Sequence, residues 1–428
     1  MDETSLRALL ERAVANEPPI GPIGPRSVAA GRRLRRRRRV RGAVACAAVI
    51  VAAAAVVPTL RTGSRQPPPS AVAVPATLWV TSQTVQGGGV GGTVTPISAG
   101  TGTVGQPIVT GEADSIISTP DGRTVYVADD NSDWVRAIST VTKTAGRPIT
   151  VKPGPAAMAI TPDGKTLYVA SAGNHHGPGW VTPISVATGR AGPPIAVATA
   201  PSSMTITPDG KVLYVLSTTT STLTPISVAT GKAEPAIKVY GVSSEPPGWL
   251  VVTPDSKTLY VSNFARGEVT PISVATGKAE PPIKSAGPGP GPMVITPDGK
   301  SLYVLDIGGP SHTVTPISVA TNTARSPITV GDAPSSMAIT PDGKTLYVGR
   351  IEGTVTPISV ATGTVGPPIR VVQDPNEIVI TPDGKRAYVL SDAGPQVGAV
   401  TPITTATNTA GAAVTIAGAT YGRMVLAP

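Results

Sequence analysis

One short motif recurs along most of the chain and sets its architecture. Thr-Pro-Asp-Gly is repeated at intervals of 41 to 46 residues, and one copy carries Ser instead of Gly. A short apolar run with Tyr at a fixed place follows each copy, and Thr-Pro-Ile-Ser and Pro-Ile come next in most units. Four short apolar runs per unit predict a four-stranded antiparallel blade, so the chain predicts a β-propeller. The copies begin at Thr119, Thr161, Thr207, Thr253, Thr296, Thr340 and Thr381.

The residues between these runs favour tight turns. In Pro-Asp-Gly, Pro presets the first turn dihedral, Asp bonds to the backbone ahead and Gly accepts a positive φ. With 47 Gly, 47 Pro and only 3% aromatic residues, the composition also suits many short strands. Pro within the third run, as at Pro183, cannot donate a ladder hydrogen bond and predicts an irregularly paired strand there.

The two ends of the repeat region supply parts of one more unit. Residues 77–80, 95–98 and 107–109 align with the second, third and fourth runs, and residues 421–428 align with the first. We therefore predict an all-β propeller of eight four-stranded blades, closed by three N-terminal strands and one C-terminal strand. A seven-bladed ring with a displaced terminal sheet is the alternative.

The sequence before the repeats predicts a membrane anchor. Residues 42–60 carry no charge, are long enough to span the hydrocarbon core as a helix, and follow an Arg-rich run at 32–41. The positive-inside rule then predicts a cytoplasmic tail at 1–41, with a short helix at 4–15, and an extracellular propeller at 76–428 on a Pro-rich stalk at 61–75. The alternative is a cleaved signal peptide, which predicts a secreted protein.

The net charge of +9 does not indicate nucleic-acid binding. Residues 1–41 hold eleven Arg and four acids, whereas residues 71–428 hold 22 basic and 22 acidic side chains. A neutral repeat domain lacks the basic surface that phosphate backbones require. The single Cys, Cys46, also excludes disulfides within the chain.

The repeat resembles the YVTN family of β-propeller repeats found in bacterial and archaeal surface proteins. Pro-Asp-Gly-Lys-Thr-Leu-Tyr-Val at 162–169 and 341–348 carries the resemblance, and Tyr260-Val261-Ser262-Asn263 is closest to the eponymous motif. The composition and the Arg-flanked segment suggest an actinobacterial source. The resemblance implies the propeller fold, but function only weakly, because related propellers include lactonases and quinone- or copper-enzyme modules.

Candidate binding residues fall in the connections that differ between repeats. We expect an aromatic surface there for a protein, peptide or envelope polymer. Asp129, Asn131 and Asp133 alternate like calcium-loop ligands, which leaves calcium open, although no other cofactor is predicted. The aromatic candidates are Trp134, Trp180, Trp249, Phe264 and Tyr421.

No nucleophile triad, phosphate loop or dinucleotide motif stands out. The leading prediction is a membrane-tethered extracytoplasmic binding scaffold without catalytic activity. One alternative is a lactonase-like metal-dependent hydrolase, with a metal ringed by acids from several blades. Another is a transmembrane sensor whose helix at 4–15 docks a cytoplasmic regulator. The acids considered for the hydrolase are Asp129, Asp306, Glu352 and Asp392.

Overall fold

The computed structural model describes the repeat region and not the segment that precedes it. The described residues are 76–86, 89–111, 113–173, 178–239, 248–285, 287–308, 312–394, 397–418 and 422–427. The tail, membrane helix and stalk predicted for residues 1–75 lie outside them, and so does Tyr421. Within the described ranges, no helix has the length and apolar character needed to cross a bilayer.

The described strands form eight antiparallel sheets, which we number as blades 1 to 8 with strands a to d from the ring axis outward. Blade 1 holds β4 (Ser115–Ser118), β5 (Thr124–Ala128), β6 (Trp134–Ser139) and β7 (Thr144–Thr150). Blade 2 holds β8 (Pro155–Ile160), β9 (Thr166–Ser171), β10 (Gly179–Ser185), β11 (Arg190–Ala191) and β12 (Ile195–Val197). Blade 3 holds β13 (Pro201–Ile206), β14 (Val212–Ser217), β15 (Thr222–Ser227), β16 (Lys232–Ala233) and β17 (Ile237–Lys238).

Blades 4 to 6 follow the same order. Blade 4 holds β18 (Leu250–Val252), β19 (Thr258–Asn263), β20 (Glu268–Ser273), β21 (Lys278–Ala279) and β22 (Ile283–Lys284). Blade 5 holds β23 (Pro290–Ile295), β24 (Ser301–Asp306), β25 (Thr313–Ser318), β26 (Thr323–Ala324) and β27 (Ile328–Thr329). Blade 6 holds β28 (Pro334–Ile339), β29 (Thr345–Arg350), β30 (Thr354–Ser359) and β31 (Ile369–Arg370).

Blades 7 and 8 complete the ring. Blade 7 holds β32 (Pro375–Ile380), β33 (Arg386–Gly394), β34 (Val397–Thr404), β35 (Thr409–Ala410) and β36 (Val414–Ala417). Blade 8 joins β1 (Thr77–Gln86), β2 (Gly89–Ser98) and β3 (Ile108–Val109) to β37 (Met424–Ala427) in the order β3-β2-β1-β37. The predicted eight-bladed ring, with strands from both chain ends in one blade, is confirmed.

Proline in strand c breaks the outermost strand, as its missing N–H predicts. The Tyr or Trp of strand b pairs with a Pro of strand c in seven blades, as Tyr168 does with Pro183. In blade 1, Ala137 takes the place of Pro, and the outer strand β7 runs for seven residues without interruption. In the other blades the outer strand is reduced to pieces of two to four residues. Between these pieces the Pro carbonyl accepts a hydrogen bond from an N–H outside the strand, as Pro183 O does from Gly192 N at 2.7 Å.

The hydrophobic core lies between neighbouring blades. Eight clusters of buried residues alternate around the ring, and each combines strands a, b and c of two adjacent blades. In blade 8, Met424 faces blade 7 while Val425 and Trp79 face blade 1. The closing strand therefore belongs to two core clusters at once.

The repeated turns form one face of the ring, which we call the uniform face. It consists of the a–b turns and the c–d segments. In each complete Thr-Pro-Asp turn the Thr hydroxyl donates to the Asp carboxylate, as Thr161 Oγ1 does to Asp163 Oδ1 at 2.6 Å, and the N–H two residues on donates to the same oxygen. Tyr hydroxyls from strand b reach the c–d segment of the next blade, as with Tyr260 and Asn322 Oδ1 at 2.7 Å.

Alkaline pH is expected to weaken the ring through these tyrosines. Burial, with a smaller contribution from nearby acids, raises the pKa of Tyr214, Tyr260 and Tyr347 to about 12, from 10.0. Because the fold favours the neutral phenol, the stabilisation is complete below pH 10 and is lost as the pH rises toward 12. The melting temperature should fall in that window while tyrosinate absorbance rises. Tyr260→Phe should lessen the fall, and tyrosines that ionise near pH 10 in the folded protein would contradict the expectation.

Candidate functional site

The b–c and d–a loops form the opposite face, which we call the variable face because its loops differ from blade to blade. The position three residues after the Tyr or Trp of strand b, toward the variable face, holds one polar residue in each blade, and seven of these eight residues are at least nine-tenths buried. A ring of mostly buried polar side chains from strand b or the residue after it therefore lies beneath the loops of the variable face. These eight residues are Ser82, Asp129, Ser171, Ser217, Asn263, Asp306, Arg350 and Ser391.

Three carboxylates meet on the variable face in blade 1, and we call this group the acidic corner: Asp114, Asp129 and Asp130. One oxygen from each lies within 4.8 Å of the others, and within the described ranges no other three metal-ligating side chains do so. Asp114 comes just before β4 and donates its N–H to Ala128 O at 2.9 Å, which brings it beside the end of β5 and hence beside Asp129. Pairing of strands a and b thus assembles the corner.

The predicted calcium residues take different roles. Asn131 donates its backbone N–H to Asp129 Oδ1 at 2.9 Å and its side-chain amide to Asp130 Oδ1 at 2.9 Å, while Asp133 is exposed. Asp129 therefore shares its carboxylate cluster with Asp114 and Asp130, and Asn131 acts there as a hydrogen-bond donor and not as a candidate ligand. Calcium takes six to eight oxygen ligands, so three carboxylates alone do not make a calcium cage.

The predicted aromatic residues are spread over several blades. Trp134 lies over Gly111 and has the Arg136 guanidinium 5.2 Å from its ring centre, and Trp180 has Lys152 Nζ at 5.0 Å. Phe264 packs on Gly289. Trp249 is only 2% exposed and packs in the core between blades 4 and 5. These four residues cap loops or fill the core, and the described ones form no common patch.

The acids considered for a hydrolase stand in different blades. Asp306 is fully buried at the end of β24, Glu352 pairs with Arg350 at 3.2 Å, and Asp392 lies in the β33–β34 hairpin of blade 7. Asp306 Oδ2 accepts hydrogen bonds from Thr313 and Thr315, each at 3.0 Å. Burial raises the pKa of Asp306, and these hydrogen bonds offset only part of that effect.

Asp306→Asn should change how stability depends on pH. A raised folded-state pKa means that the fold favours the protonated acid, so the wild type loses stability as pH rises through that pKa. The Asn variant cannot lose it, so its stability advantage over the wild type should grow as the pH rises and be largest near neutral pH. Melting curves from pH 4 to 8 measure this. Parallel curves for the two proteins would contradict it.

Charge separates the two faces. The described loops of the variable face carry seven acids and three bases, a net charge of −4, and four of the acids lie in or beside the acidic corner. The turns and c–d segments of the uniform face carry twelve bases and nine acids, a net charge of +3. The variable-face residues are Asp114, Asp129, Asp130, Asp133, Asp332, Glu352 and Asp374, with Lys152, Arg266 and Arg423. The uniform-face residues are Arg123, Lys143, Lys165, Arg190, Lys211, Lys232, Lys257, Lys278, Lys300, Arg325, Lys344 and Lys385, with Asp121, Asp163, Asp209, Glu234, Asp255, Glu280, Asp298, Asp342 and Asp383.

Comparisons with known proteins agree on the fold. A family model described as lactonase, a seven-bladed β-propeller, matches residues 180–348, which is less than half of the chain. Dihydro-heme d1 dehydrogenase NirN, solved in complex with DHE, has a TM-score of 0.64 at 15% identity over 79% of this chain and 73% of its own. No curated protein sequence matches.

Two further solved structures are similar. A functionally unknown protein from Desulfotomaculum acetoxidans DSM 771 has a TM-score of 0.53 at 17% identity, covering 71% of this chain and 98% of its own. Hydrazine synthase of Kuenenia stuttgartiensis has a TM-score of 0.50 at 22% identity, covering 71% and 94%. At these identities the likeness extends to the propeller fold and not to activity.

Proposed function

We propose that this protein is a membrane-tethered, extracytoplasmic binding scaffold whose variable face takes up a cationic partner, such as a basic protein segment, a basic peptide or an aminated envelope polymer. The charge separation between the faces is the observation that carries the proposal. Seven acids against three bases attract positive groups, and clustering in one corner concentrates that field. At physiological salt the field reaches about 8 Å, so the contact is made close to the loops.

The point at which the chain enters the propeller agrees with a binding surface on the variable face. β1 begins at Thr77 beside Ser98 and Ala427, which is the uniform face. The chain therefore enters the ring at the uniform face, at the end of the sheet opposite the variable-face loops. The proposed tether thus precedes the uniform face in the chain and does not interrupt the loops of the variable face.

The test uses the full chain and a fluorescent oligolysine peptide, with oligoglutamate as the opposite probe. Asp130→Asn combined with Asp133→Asn should weaken oligolysine binding several-fold, because both residues are exposed acids of the variable face. Glu234→Gln combined with Glu280→Gln, which removes the same two charges from the uniform face, is the matched control and should leave it unchanged. Equal effects of the two changes, or no oligolysine binding, would overturn the proposal.

A lactone hydrolase is the second candidate, favoured by the family match at 180–348. This stretch includes the buried Asp306 but not the acidic corner. Hydrolysis of simple lactones should be measured with the full chain, with and without added divalent cations. If the wild type turns over a lactone and Glu352→Gln or Asp130→Asn lowers that turnover without loss of stability, the hydrolase replaces the scaffold proposal. Absence of turnover under every condition supports the scaffold proposal.

A further inference from the structure

The outer rim of the propeller concentrates positive charge. We define the outer wall as the c–d segment and strand d of each blade, at the end of the sheet order away from the ring axis. It holds nine bases and two acids, a net charge of +7, and all eleven side chains are exposed. The bases are Lys143, Arg147, Arg190, Lys232, Lys238, Lys278, Lys284, Arg325 and Arg370, and the acids are Glu234 and Glu280.

Neighbouring acids do not neutralise these bases. The a–b turns carry seven bases and seven acids, and six of their lysines form ion pairs with the Asp of their own turn, as Lys165 does with Asp163 at 3.2 Å. Among the described residues, none forms an ion pair with any of the nine wall bases. Glu268 lies opposite Lys284 in the sheet, and counting it still leaves a net charge of +6.

The bases occupy six consecutive blades. Each of blades 1 to 6 contributes at least one, and the shared core clusters place these blades side by side. We call this part of the outer wall the basic arc. Lysine often protects an outer strand from pairing with other chains, but β36 and β3 are outer strands of blades 7 and 8 and carry no charge. Edge protection therefore does not explain the arc.

A cavity opens at one end of the basic arc. Its volume is about 500 Å³, and it lies between strand d of blade 1 and the c–d segment of blade 2. Arg147, Thr150 and Thr188 are among the residues that line it. An arginine can hold a carboxylate through two parallel hydrogen bonds, and threonine hydroxyls can donate to and accept from the hydroxyls of a sugar.

The chemistry of the outer wall favours a flexible acidic polysaccharide. Its charges attract a chain with repeated anionic groups, and only a chain that bends can follow the arc. A membrane is flat and a DNA duplex has a persistence length of about 50 nm, so each would contact a short part of it. Single-stranded nucleic acid stacks its bases on aromatic side chains, and the outer wall contains none. Exposed hydroxyls at Thr188, Thr230 and Thr276 suit a sugar chain instead.

We infer that the outer wall of blades 1 to 6 binds a flexible acidic polysaccharide, with its carboxylates along the basic arc and one acidic sugar in the cavity at Arg147. This goes beyond the proposed function, because it assigns a second ligand, of opposite charge, to a different surface. The balanced charge of residues 71–428 gave no sign of it, because the bases and acids are separated in space and not along the chain.

Lysine acetylation of the full chain tests this, with mass spectrometry as the readout and oligogalacturonate, a chain of carboxylated sugars, as the probe. Residues 1–75 contain Arg but no Lys, so the reaction reports only on the repeat region. The five wall lysines should react several-fold more slowly in the presence of the probe. The six ion-paired lysines of the a–b turns are the internal control and should keep their rates. Methyl-esterified oligogalacturonate, the same sugar chain without charge, should protect neither set.

Two matched variants measure the contribution of charge. Removing four wall lysines should raise the oligogalacturonate concentration that protects Lys143 by about tenfold or more, and should lower the slope of log affinity against log salt by about 3, at roughly 0.7 per contact. Removing four lysines from the a–b turns of blades 2 to 5 should change that concentration by less than about twofold. The wall variant carries Lys232→Gln, Lys238→Gln, Lys278→Gln and Lys284→Gln, and the control carries Lys165→Gln, Lys211→Gln, Lys257→Gln and Lys300→Gln.

The cavity has a test of its own. Arg147→Gln should weaken the protection of Lys232 several-fold more than Arg325→Gln, which removes an arginine of the outer wall in blade 5, away from the cavity. Equal effects would overturn the assignment of the cavity.

Other results would overturn the inference as a whole. Equal protection of both lysine sets, or of neither, would show that the outer wall is not the binding surface. Stronger protection by oligothymidylate would assign the wall to single-stranded nucleic acid. Protection by phosphatidylglycerol vesicles but not by oligogalacturonate would assign it to a membrane surface. None of these results changes oligolysine binding, so the proposed function stands or falls separately.

Discussion

Removal of residues 422–428 is expected to abolish cooperative folding of the ring. These residues include β37, in which Met424, Val425 and Ala427 are at most 6% exposed and belong to two core clusters. Each large side chain lost from a core costs about 2–5 kcal/mol, and the whole domain has only about 5–15 kcal/mol of net stability. Truncation also exposes the edge of β1 to pairing with other chains.

A synthetic peptide spanning 419–428 provides the control. Added to the truncated chain, it should pair with Thr77–Val80 in the native register and restore the native fluorescence of the adjacent Trp79. The native far-ultraviolet dichroism and a single melting transition are the readouts. A truncated chain that melts cooperatively at the wild-type temperature would show that blade 8 does not need its fourth strand.

Trp79→Ala is expected to cost about 3–5 kcal/mol of unfolding free energy, the usual cost of a buried Trp. Trp79 is fully buried in blade 8, where it pairs with Pro96 and Val425 and packs against blade 1. Seven blades have Tyr at this position, so Trp79→Tyr should cost less than half as much. Denaturant unfolding with an unchanged slope measures both values.

Trp134→Ala is the matched control for that measurement. Trp134 is half-buried on the variable face and lies over Gly111, so its loss should cost about 1 kcal/mol. Equal costs for the two substitutions would mean that the closing blade contributes no more than a loop cap does.

The repeat made most of the fold predictable. Thr-Pro-Asp-Gly identifies a turn by its own chemistry, so seven blades follow from local sequence alone. The alignment of residues 77–80 and 421–428 with neighbouring units then gives the eighth blade. Pro183 and its equivalents predicted irregular pairing of strand c, and the structure places the irregularity on the side of strand d, while strand c pairs with strand b in regular register.

The site was less predictable because it depends on contacts between strands. Asp129 was singled out with Asn131 and Asp133 by spacing along one loop, whereas the corner joins it to Asp114 across the a–b pair. The antiparallel register of β4 and β5 was the signal that could have found Asp114. Trp249 is an error of the other kind, a predicted site residue that belongs to the core. Its position in a loop suggested exposure, but the structure buries it.

The position of β1 also has a mechanical consequence. β1 lies between β2 and β37, with ten paired residues on one side and four on the other. A pulling force applied at Thr77 acts along the strand axis and loads both ladders in shear, so that many hydrogen bonds must break together. A chain end placed in an outer strand would instead peel away one bond at a time. Thr77 is thus a point at which the sheet resists tension well.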